Sequence, residues 1–233
     1  PRWQFYTSDS VVNYEIGFKG DRGDFRYDVS VFYVDWTDPQ FNTASTNWGF
    51  FAVQNGSEAS SMGLEASIDG FVGEAWHYSL GYAYINAELG ADFHAPDRPA
   101  PAAPIALEGA MLPGTPEHQL NWSIDYTTQV SNWSSFTRLD GYYQSDTTNA
   151  VTTSPTFNVP LDGFAIWNLT TTFSRDALDL SFWVKNITNE EGVTGIFTEA
   201  YMGTAPGEGY FGNGNKQMIS LPRTIGATLR YNF

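Results

Sequence analysis

The last ten residues alternate without a break, with Ile225, Ala227, Leu229, Tyr231 and Phe233 on one side and Thr224, Gly226, Thr228, Arg230 and Asn232 on the other. Residues i and i+2 share a face of an extended backbone, so this segment is a ribbon with one greasy and one wet side. The same pattern recurs in about nine segments from Val11 onward. Val12, Tyr14, Ile16 and Phe18 oppose Asn13, Glu15 and Lys19; Phe25, Tyr27, Val29, Val31 and Tyr33 oppose Arg26, Asp28 and Ser30. Leu64, Ala66 and Ile68 alternate with Glu65, Ser67 and Asp69, and residues 55–61 in the middle of that long segment predict a β-bulge. Further along, Trp76, Tyr78, Leu80, Tyr82 and Tyr84 form one stripe, and Leu120, Trp122, Ile124 and Tyr126 another. The segment from Phe136 to Gln144 is the least regular, and it is followed by Ala165 to Phe173 and Leu178 to Val184.

The connections sort by length. Short turns fall near Gly20, Gly73, Val130 and Arg175, while residues 38–47, 91–116, 147–160 and 190–217 form long connections, strictly in alternation. A soluble sheet has no reason to gather its long loops at one end, whereas outer-membrane barrels combine short periplasmic turns with long extracellular loops. Tyr27, Tyr33, Trp76, Tyr84, Trp122, Tyr126, Trp167 and Tyr231 lie near strand ends on the greasy face, where interfacial girdles belong. A charge facing hydrocarbon at mid-depth costs about 2 to 4 kcal/mol, so Arg26, Asp28, Asp125, Asp179, Lys185 and Arg230 are assigned to the lumen. The pattern therefore predicts an all-β, transmembrane antiparallel barrel. A soluble carbohydrate-binding β-sandwich with one wet face is the rival reading, and a passive porin or adhesive barrel is another.

Composition narrows the function classes. The chain has 233 residues, no cysteine and a net charge of -15, which removes disulfides and thiolate metal sites and argues against a grip on nucleic-acid phosphate. Mean hydropathy is -0.31, and no apolar run approaches the length of about 18 residues that a spanning helix needs. His77, His94 and His118 are scattered without a ligand set, and the pairs Glu190–Glu191 and Asp92–Asp97 have no nucleophile or oxyanion hole beside them. Neither an enzyme, a cofactor nor a bound metal is expected. Trp48, Phe50, Tyr201, Tyr210 and Phe211 lie in long connections, where they could stack on a ligand ring or sugar or pack the loops together. The sequons at Asn121, Asn132, Asn168 and Asn186 fall in strands or turns and are read as accidental. No export signal follows Pro1, and the opening residues read as the middle of a loop, so the start of the protein is expected to lie upstream.

Two resemblances give these patterns a family. The terminal stripe of Ile225, Ala227, Leu229, Tyr231 and Phe233 resembles the signature by which the barrel assembly machinery recognises outer-membrane proteins. Six segments are similar to the barrels of TonB-dependent receptors, in that family's order: NYEIGFKGD at 13–21, VSVFYVDWTD at 29–38, VQNGSEASSMGLEASI at 53–68, LPGTPEHQLNWSIDY at 112–126, WVKNITNEEG at 183–192 and PRTIGATLRYNF at 222–233. The resemblance implies a barrel of about 22 strands with a plugged lumen, of which residues 1–233 supply the last nine or so strands, with the plug domain and N-terminal strands missing from this chain. It also implies outer-membrane lipid, TonB and a small-molecule ligand as partners, with a ferric siderophore as the default cargo and carbohydrate or cobalamin behind it.

Overall fold

The computed structural model describes residues 6–44, 51–56, 58–94, 100–153, 158–197 and 216–233. Nine long strands make one antiparallel sheet: β1 (Ser10–Asp21), β2 (Phe25–Thr37), β5 (Glu58–Val72), β6 (Trp76–Leu89), β7 (His118–Val130), β8 (Trp133–Gln144), β11 (Phe164–Arg175), β12 (Leu178–Lys185) and β15 (Thr224–Tyr231). Neighbours in that order pair antiparallel, with β1 and β15 at the two edges, so the sheet is an up-and-down meander. Three small hairpins rise from the long connections: β3 (Gln40–Ala44) with β4 (Phe51–Asn55), β9 (Thr147–Thr148) with β10 (Pro160–Leu161), and β13 (Val193–Phe197) with β14 (Lys216–Ile219). All three lie at one end of the sheet. The opposite end carries the tight turns, where Gly23 (φ 86°), Gly73 (φ 62°), Ser131 (φ 58°) and Asp176 (φ 52°) take the left-handed conformation that reverses a chain in two or three residues.

Register sorts the side chains into two faces. Ile16, Val31, Leu64 and Tyr84 form one continuous row across β1, β2, β5 and β6, and Leu139, Leu169, Val184 and Ile225 form another across β8, β11, β12 and β15. The opposite face carries Arg26 beside Asp69, Asp125 beside Arg138, and Asp179 beside Arg230. The greasy rows are not buried: Ile16 is 61% exposed, Ile225 74% and Leu229 69%. In a sandwich these stripes would pack against a second sheet; among the described residues nothing covers them, as the outward face of a membrane barrel requires.

Bulky and absent side chains are matched across the greasy face. Trp122 of β7 and Trp167 of β11 meet edge to face, with centroids 4.8 Å apart, above Gly141 of the intervening β8. A Cβ at Gly141 would stand 2.6 Å from Trp122 Nε1, so only glycine admits the indole.

One local expectation needs correction, and one irregularity acquires a cause. The register from Thr37↔Glu58 to Phe25↔Gly70 runs without a shift, so the described residues of 58–61 contain no bulge. The extra residues are taken up instead by the β3–β4 hairpin, which leaves the sheet at buried Pro39 and returns at Gly56, whose N–H donates to Pro39 O (2.7 Å). Phe136–Gln144, the least regular segment by sequence, is nonetheless paired throughout, to β7 on one side and β11 on the other. Its alternation is blurred because Phe136 shares the charged face, lying under the Arg138 guanidinium at 5.8 Å.

Candidate functional site

Five charged or ionisable side chains link across five consecutive strands on the wet face. Arg26 Nη2 lies 3.2 Å from Asp69 Oδ1, and Asp69 Oδ2 lies 3.1 Å from His77 Nε2. His77 Nδ1 is 3.1 Å from Asp125 Oδ2, and Arg138 donates to both Asp125 oxygens at 2.7 Å from Nε and Nη2. Asp125 is only 5% exposed, so its bidentate guanidinium partner and the imidazole supply what water would have supplied. Beside this ladder Lys19 pairs with Asp28 at 2.9 Å, and Asn168 Nδ2 donates to Asp140 Oδ2 at 2.7 Å. Sequence reading placed Arg26 and Asp125 on this face but left His77 without partners. The missing information was register, which sets Asp69 and Asp125 on either side of His77 although they are distant in the chain.

The second feature is the knot of long connections at the opposite end. Ala59, Leu89, Phe93 and Ala106 form its buried centre, with Trp36, Phe41, Ile105, Ala110, Leu112 and Val151 packed against them. Phe41 lies 5.3 Å from Phe93 and 6.2 Å from Trp36, centroid to centroid. The connection after β6 folds back along that strand: Leu89 N–H donates to Ala110 O (3.0 Å), Gly109 N–H to Leu89 O (2.8 Å) and Leu112 N–H to Ala87 O (2.9 Å). The connection after β8 is tied to it by Thr153 N–H to Ile105 O (2.6 Å) and Gly114 N–H to Thr148 O (3.0 Å). Glu58, Glu88, Asp92 and Glu108 lie beside this knot: Gly90 N–H donates to Glu58 O, Glu88 bridges to Met111, and Glu108 N–H donates to Asp92 Oδ1.

The sequence-derived candidates divide. Trp48, Phe50, Tyr201, Tyr210 and Phe211 lie outside the described residues, as does Asp97. Ile225, Ala227, Leu229 and Tyr231 form the outward face of β15, whose other edge is unpaired among the described residues, and Phe233 follows with its ring 5.3 Å from Tyr231. His118 packs against the rings of Tyr82 and Tyr84, with its Nδ1 2.9 Å from the Tyr82 hydroxyl. Asn168 and Asn186 have structural work: Asn186 N–H donates to Asn168 Oδ1 at 3.1 Å, and the Asn186 carboxamide ties both ends of the last long connection.

An antiparallel meander with one apolar face, one charged face and elaborate loops at one end has the makings of an outer-membrane β-barrel wall. The model of the family described as TonB dependent receptor-like, beta-barrel matches residues 9–187, and the chain belongs to that family. It is similar to the ferripyoverdine receptor of Pseudomonas aeruginosa, 31% identical over 83 residues that span 33% of this chain and 10% of the receptor. The ferric yersiniabactin uptake receptor FyuA of Yersinia pestis superimposes with a TM-score of 0.75 at 15% identity, over 98% of this chain and 30% of that one. BauA, the ferric preacinetobactin receptor of Acinetobacter baumannii, gives 0.66 at 16% identity, over 96% of this chain and 29% of that one. The chain thus spans less than a third of the length of these receptors, and membership of this barrel family places it in the outer membrane.

Proposed function

We propose that residues 1–233 are the C-terminal wall of a receptor that takes up a scarce ligand, a ferric siderophore by default, with energy delivered through TonB. The observation that supports this reading is the opposition of the two faces: exposed apolar rows on one and a continuous charged ladder on the other, the division a barrel needs between lipid and lumen. An open sheet at membrane depth would leave backbone groups of β1 and β15 without partners, each at a cost of several kcal/mol. Strands outside 1–233 therefore close the barrel, and a plug domain outside it fills the lumen. The aromatics Trp48, Phe50, Tyr201, Tyr210 and Phe211 are proposed ligand contacts, and the stripe ending at Phe233 is the proposed mark read by the assembly machinery. That ferric siderophore receptors recur among the similar proteins supports the cargo class.

The test is uptake of radiolabelled ferric siderophores by cells whose chromosomal copy is deleted and restored. Uptake that returns with the full-length gene and vanishes without TonB supports the reading. A barrel that conducts solutes passively whether or not TonB is present makes the protein a porin instead.

A further inference from the structure

We propose that the described parts of the connections after β2, β6 and β8 are not three loops but one rigid cap, seated on the inner side of the barrel mouth and yielding only as a unit. The inference deepens the receptor reading, because it says what kind of wall an incoming ligand meets.

The side of the sheet is fixed by register. Trp36 pairs with Ala59, and Ala59 with Leu89, so these three form a row on the same face as Arg26 and Asp69 further down. Leu89 is 1% exposed and Phe93 2%, so the row is covered, and what covers it comes from the connections themselves. The knot therefore folds inward over the passage and not outward over lipid. Phe41 comes from the first connection, Ile105, Ala106, Ala110 and Leu112 from the second, and Val151 from the third. Phe41 and Val151 both pack against the buried centre that Phe93 and Ala106 of the second connection complete, so all three bury apolar surface in one cluster. Lifting one connection away would expose the faces of its neighbours to water, so the three share one opening free energy and behave as a single cooperative unit. The main-chain bonds from Thr153 to Ile105 and from Gly114 to Thr148 reinforce the union of the second and third.

Amide hydrogen exchange on the full-length protein in lipid vesicles tests this with one reporter per connection. Gly56 N–H bonds Pro39 O, Leu112 N–H bonds Ala87 O, and Thr153 N–H bonds Ile105 O. Phe93→Ala should raise exchange at all three reporters by a common factor of about tenfold or more, and Phe93→Leu by a smaller common factor. Val151→Ala, made in the third connection, should likewise reach Gly56 in the first. Leu107→Ala, at an exposed side chain of the second connection outside the knot, should move none of them. Unchanged exchange in β11 and β12 certifies that each variant is folded. A response confined to the connection that carries the substitution would overturn the cap. Protease access from outside intact cells tests sidedness separately, so failure of the receptor reading would not be confused with failure of the cap.

Discussion

Asn186 and Leu221 lie 35 residues apart and are joined by a hydrogen bond of 2.9 Å from the Asn186 carboxamide nitrogen to the Leu221 carbonyl. The same nitrogen donates to Glu190 O at 2.8 Å, and the carboxamide oxygen accepts from Glu190 N–H at 2.8 Å. Asn186 is 3% exposed and holds a left-handed backbone (φ 52°), which asparagine tolerates better than other side chains. It is a clasp at the root of the last long connection. Asn186→Ala removes the carboxamide's bonds to Glu190 and Leu221, at a cost of about 0.5 to 1.5 kcal/mol per bond. Limited proteolysis should cut between β12 and β15 about tenfold faster, with the rest of the barrel resistant. Asn186→Gly restores the backbone freedom and not the bonds, so it should be cut as fast as the alanine variant. Protection in the glycine variant would reduce Asn186 to a conformational requirement.

The Asp125–Arg138 pair offers a double-mutant cycle. Both Asp125 oxygens are taken by one guanidinium, but Arg138 is half-exposed, which weakens the pair relative to a fully enclosed one. Asp125→Asn, Arg138→Gln and the double variant, unfolded by urea in detergent micelles, should give a coupling of about 1 to 2 kcal/mol. Additive effects would mean that the ladder is adjacency without energy.

Adjacent residues on β7 separate the two faces directly. Ile124 belongs to the lipid rows, while Ser123 faces the passage beside Asp140. Ile124→Arg should destabilise the folded barrel by about 2 to 4 kcal/mol in lipid, and Ser123→Arg by under about 1 kcal/mol. The readout is the urea midpoint of the heat-modifiable band on gels. Equal penalties at the two positions would contradict the assignment of faces.

Phe233 tests the assembly mark. Its side chain is fully exposed and its ring meets Tyr231 edge to face, so its removal should barely change the unfolding midpoint of the purified barrel. The amount of folded protein recovered from outer membranes should nevertheless fall several-fold. A loss of intrinsic stability equal to the loss of yield would make Phe233 an ordinary packing residue.

Much of this architecture was legible in the residue order, for a physical reason. Alternation is set by the geometry of an extended chain, so the stripes Val12 to Phe18 and Ile225 to Phe233 announce their strands, and the energetic gap between lipid and lumen announces which side carries Arg26 and Asp125. Loop lengths could be counted, and the family followed from segments in order. What tertiary structure alone decided is everything that depends on register and on folding back. Asp69, His77, Asp125 and Arg138 are spread over four strands, and only the pairing brings them within hydrogen-bond distance. Phe41, Phe93, Ala106 and Val151 belong to loops without periodicity, where no local rule says which residues will meet, and their shared burial exists only once three connections have closed over Trp36, Ala59 and Leu89.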